Sequence, residues 1–79
     1  MDKNTCVIKL NTIDKVKDFV SRVSTFDCDV DILYGRYIID GKSLIGIFSL
    51  DLTNPVTAMI HTDDYNELKR FFEIMEDFK

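Results

Sequence analysis

Residues 40–50 read "DGKSLIGIFSL", and Gly41-Lys42-Ser43 matches the end of a phosphate-binding loop. In nucleotide hydrolases that loop is Gly, four residues, then Gly-Lys-Ser or Gly-Lys-Thr, placed between a strand and a long helix. Its backbone N–H groups cradle phosphate oxygens and its lysine reaches them. Here the required upstream glycine position is Arg36, and Gly35 misses it by one residue. The intervening "RYIID" reads as a strand. A nucleotide site is therefore rejected. Ser43 remains as a helix-capping residue ahead of an apolar run.

Other residues with chemical potential resolve in the same way. Asp27, Asp29 and Asp31 imitate the start of a calcium loop, but the turn glycine and the bidentate glutamate are replaced by Ile32 and Ile38. His61 is the only histidine, at the end of a strand and just before a helix. Cys6, Cys28 and His61 lack metal-ligand spacing, and His61 reads as a surface or hydrogen-bonded side chain. Asp63 and Asp64 begin a helix, where the dipole favours negative charge. No catalytic residue, metal site or cofactor is expected.

The elements that must position these residues fit in one domain over residues 1–79. The chain is 46% hydrophobic, 11% aromatic and 30% charged, a globular composition. Ten Lys and Arg face fourteen Asp and Glu, for a net charge of −4 and a pI of about 4.7. Nucleic acid binding needs clustered cations, which are missing here. A basic patch on another protein is the better electrostatic match. No run approaches the ~18 apolar residues of a membrane span, and no apolar segment follows the opening Met1-Asp2-Lys3-Asn4. The expected location is the cytoplasm, with Cys6 and Cys28 reduced and acting as small buried hydrophobes.

Periodicity gives the element order. "CVIKL" over residues 6–10 reads as a strand. The next segment carries an apolar stripe at Ile13, Val16, Phe19, Val20 and Val23, with Asn11 or Thr12 as its cap. "CDVDILY" alternates, with Val30 and Ile32 on one face and Asp29 and Asp31 on the other. Gly35 turns it into "RYIID" as a hairpin. Ser43 caps two helical turns, and Asn54-Pro55 opens the strand "PVTAMIH". The last helix places Tyr65, Leu68, Phe71, Phe72, Met75 and Phe78 on one side, with Thr62 as its cap. The expected class is α+β, in the order βαββαβα. Leu44, Ile45, Ile47, Phe48 and Leu50 are too many apolar groups for two turns to bury, so part of that helix forms an exposed partner patch.

Residues 23–52, "VSTFDCDVDILYGRYIIDGKSLIGIFSLDL", resemble HPr, the small phosphocarrier of the bacterial sugar phosphotransferase system. The positions that carry the resemblance are Ser24, Phe26, Asp29, Val30, Lys42, Ser43, Gly46, Ser49 and Leu50. The resemblance implies an open-faced β-sandwich, with a four-stranded antiparallel sheet and helices on one face. The family carries its phosphoryl group on a histidine within "G-(L/I)-H-A-R-P", at the start of the first helix. Counting back without gaps places that histidine at Thr12, the arginine at Asp14 and the proline at Lys15. A threonine hydroxyl is a far weaker nucleophile than imidazole near neutral pH, and Asp14 repels phosphate. The resemblance thus implies a degenerate member, without histidine phosphocarrier activity. Ser43 aligns with the serine that a kinase/phosphatase modifies in many members, and is a candidate phosphorylation site. Lys42, Ser43, Leu44, Ile45, Ile47 and Phe48 form the expected docking face. The implied partners are phosphotransferase-system proteins, an HPr kinase/phosphatase or a transcription regulator, with the chain a monomer or weak homodimer. The alternatives are an active phosphocarrier with an altered acceptor and a repurposed scaffold or dimerisation domain.

Overall fold

The computed structural model describes residues 3–79. Four strands and three α-helices follow in the expected order. β1 is Thr5–Ile8, α1 Ile13–Val23, β2 Val30–Tyr34, β3 Tyr37–Asp40, α2 Leu44–Phe48, β4 Val56–Ile60 and α3 Tyr65–Met75, with a 3-10 turn at Glu76–Phe78. The strands form one antiparallel sheet in the order β1-β4-β2-β3. Strand alternation decides which side is buried. Val56, Ala58 and Ile60 of β4 and Val30 and Ile32 of β2 point into the core. They meet the buried faces of the helices there, including Val16, Phe19, Val23, Ile47, Phe71 and Met75. The helices thus cover one face of the sheet and leave the other open, which is the α+β open-faced sandwich.

The aromatic residues lock the helical layer edge to face. Phe19 meets Phe78 at 5.6 Å and Phe26 meets Phe71 at 6.3 Å between ring centroids. Gly35 makes the β2–β3 hairpin possible. Its φ of 58° lies in the left-handed region that the first loop position of a tight hairpin turn needs.

Several local expectations require correction. Thr12 caps α1, but α3 is capped by Asp64 rather than Thr62. The Asp64 carboxylate reaches the N–H groups of Asn66 and Glu67, at 2.8 and 3.4 Å. The Thr62 hydroxyl only turns the preceding loop, accepting from Asp64 N. Ile13 and Tyr65 sit on the apolar stripes yet are 62% and 74% exposed. Each opens its helix, where the stripe continues but its cover does not. No helix among the described residues is long and apolar enough to cross a membrane.

Candidate functional site

The Gly41-Lys42-Ser43 corner is built from backbone contacts. Gly41 N donates to Val30 O at 2.7 Å, and a Cβ at Gly41 would stand only 2.7 Å from that same oxygen. Glycine is what lets the chain leave β3 so close to β2. Asp40 then turns the corner: its backbone oxygen accepts from Ser43 N and its Oδ1 from Lys42 N, both at 3.0 Å. Ser43 is extended (φ −101°, ψ 104°), and its Oγ accepts from Gly46 N at 3.1 Å. This is an N-cap that satisfies one otherwise unpaired donor of α2. Gly46 completes the fit. A Cβ there would lie 2.9 Å from Ile39 Cγ2 and 3.0 Å from Ser43 Oγ. Lys42 extends away from any phosphate-loop role, and its Nζ donates to Phe26 O at 2.7 Å.

The apolar residues of α2 divide between two jobs. Ile45 is 84% exposed and Phe48 41% exposed, while Leu44 is half-buried against the core. Ile47, expected on the docking face, is fully buried and belongs to the core. The outward surface is therefore Lys42, Ser43, Leu44, Ile45 and Phe48. Beside it a cleft of about 300 Å³ is lined by Tyr34, Tyr37, Ile39, Leu50 and Asp51, among others. The Asp51 carboxyl is held below its usual value by the hydroxyl and backbone N–H of Thr53.

Thr12, Asp14 and Lys15 meet at the first turn of α1. Thr12 Oγ1 accepts from Lys15 N at 3.1 Å, and Asp14 is the acidic residue of that turn. Thr12 and Asp14 are exposed. His61 lies elsewhere, just past the end of β4. Its Nε2 is 2.7 Å from Asp31 Oδ2, and its backbone N–H donates to Asp29 O. This partnership escaped sequence reasoning, because it depends on the register of β2 against β4. Another cleft, of about 400 Å³, has Asp27, Cys28, Asp64, Glu67 and Arg70 in its wall. Arg70 offers no free anion site there. Its guanidinium stacks on Phe26 at 3.8 Å and donates to Thr25 Oγ1 at 2.7 Å and Glu67 Oε2 at 3.3 Å. Burial raises the thiol pKa of both Cys6 and Cys28. No metal-binding cluster is present among the described residues.

No protein-family model and no curated protein matches the chain. Among solved structures it is similar to HPr-C-His from Thermoanaerobacter tengcongensis, with a TM-score of 0.71 and 26% identity. The match covers 92% of this chain and 89% of that one. The fold thus superposes on that solved structure over nearly the whole chain, and the chain has the HPr-like fold.

Proposed function

We propose that this chain is a cytoplasmic regulatory or protein-interaction domain of HPr-like fold, without histidine phosphocarrier activity. The observation that carries this reading is the first turn of α1. Thr12, where the family's histidine would align, already uses its hydroxyl oxygen to accept from Lys15 N. Asp14, where the family's arginine would align, adds negative charge where a phosphoryl group needs a cation. Neither an imidazole nucleophile nor its electrostatic support is at that position.

The remaining surface for partners is α2 with Ser43 at its start. Ile45 and Phe48 project from it, and fitting partners are phosphotransferase-system proteins, an HPr kinase/phosphatase or a transcription regulator. A phosphate on Ser43 would meet the N–H of Gly46, and Lys42 would gain an acceptor that competes with Phe26 O. Incubation with an HPr kinase and ATP, followed by mass spectrometry, is expected to place one phosphate on Ser43. An unmodified Ser43 beside a modified HPr control would remove the phosphorylation part of the proposal.

A second reading, phosphotransfer through an altered acceptor, has one observation in its favour: Asp31 orients His61. The same carboxylate opposes it. A phosphoryl donor would approach His61 against the charge of Asp31, with no lysine or arginine paired there among the described residues.

A further inference from the structure

The sheet face opposite the helices carries a pattern that the Ser43 corner does not use. The strand register arranges its outward residues in rows. One row crosses all four strands as Val7, Thr57, Leu33 and Ile38. The next is Thr5, Met59, Asp31 and Asp40. Val7 is 62% and Ile38 67% exposed, Leu33 and Met59 are half-buried, and none of the four belongs to the core. The water-facing side of an antiparallel sheet is ordinarily polar, so a row that is apolar on three of its four strands, with Thr57 on β4 and Met59 beside it, marks a surface that is covered in use.

The acidic row indicates what covers it. Asp31 and Asp40 are direct cross-strand partners of β2 and β3. Like charges in that relation destabilise a sheet. Among the described residues only His61 is ion-paired with Asp31; Asp40 accepts the backbone N–H of Lys42, whose Nζ points instead to the Phe26 carbonyl. A cation brought by a partner relieves the repulsion. The dimensions narrow the choice further. With strands ~4.8 Å apart, the apolar row is about 14 Å between the outer strand axes. Three turns of α-helix span about 16 Å. The acidic row lies about 6.6 Å along the strands, within reach of lysine or arginine on the flank of such a helix. A stripe this narrow falls well short of the ~800 Å² per partner that a stable interface between folded subunits buries. A second copy would also add its own net charge of −4.

We propose that the open face of the sheet is a second docking surface, which takes an amphipathic helical segment of another protein with Lys or Arg along one flank. It lies across the sheet from α2 and stands independently of the role of Ser43. The probe is a stapled three-turn helix with leucines on one face and lysines beside them. Its control is a twin with glutamate in place of each lysine. NMR titration of the labelled chain is expected to shift the amides of Val7, Leu33, Ile38 and Met59. Fluorescence anisotropy is expected to show the lysine peptide binding at least tenfold tighter than its twin. Ile38→Thr keeps a good strand former at an exposed position and is expected to weaken binding about tenfold. Asp40→Asn is expected to weaken it several-fold and flatten its salt dependence. No binding, equal binding of the two peptides, or shifts confined to residues 44–48 would overturn the proposal. So would a doubled mass in light scattering with the open face perturbed in the absence of peptide, because a second copy would then be the occupant.

Discussion

Ser43 and Gly46 occupy adjoining space, and neither is interchangeable with its usual substitutes. In an exposed helix, alanine is favoured over glycine by about 1 kcal/mol. At Gly46 the new methyl would press on Ile39 Cγ2, 2.9 Å away. That atom sits on a β-branched carbon with little room to retreat. Gly46→Ala is therefore expected to lower stability by about 1–2 kcal/mol in urea unfolding; a gain in stability would mean that α2 does not rest on β3 in this way. The cysteines give a second prediction at this scale. Burial raises both thiol pKa values, so the thiolate fraction at neutral pH is smaller than in an unfolded chain. Both should react with an aromatic disulfide reagent several-fold more slowly folded than in urea, and equal rates would contradict that burial. Not every residue-scale feature was legible in advance. The α1 cap was legible only as Asn11 or Thr12, two adjacent capping residues, and the helix path selects Thr12. The choice of Asp64 over Thr62 was not legible, since both are capping residues and only the helix path decides between them. The Asp31–His61 pair needed the strand register.

The elements differ in how plainly the sequence announces them. α1 and α3 each run eleven residues, long enough for a stripe to repeat and point inward. α2 has five residues and no repeat. Periodicity cannot sort its apolar side chains, so Ile47 was grouped with its exposed neighbours although it is core. This division is testable with two substitutions. Ile45→Glu changes a side chain that is 84% exposed and should leave stability within about 0.5 kcal/mol. Ile47→Ala empties a fully buried site and should cost about 2–5 kcal/mol. Unfolding curves measure both. Equal losses would mean that Ile45 is also packed, and would remove the exposed side chain on which the α2 docking face depends. The hairpin was readable from its alternation and from Gly35.

At the scale of the whole molecule, the order of elements followed from patterning, but the sheet order β1-β4-β2-β3 did not. Antiparallel strands with these lengths allow several neighbour arrangements, and the resemblance over residues 23–52 implied the four-stranded antiparallel sheet without its neighbour order. The resulting layers separate two surfaces: the helical side with Ser43, Ile45 and Phe48, and the open side with Val7, Leu33, Ile38 and the paired aspartates. The first turn of α1 presents Thr12 and Asp14, and the proposed lack of carrier activity rests on that turn. The most direct measurement is phosphoryl transfer itself. The chain is incubated with phosphoenolpyruvate and the first enzyme of the sugar phosphotransferase system, alongside an active HPr. Intact-protein mass is then recorded before and after acid treatment. A domain without carrier activity keeps its mass while the HPr control gains a phosphoryl group. An acid-labile gain in mass on this chain, mapped to His61 or any other residue, would contradict the assignment.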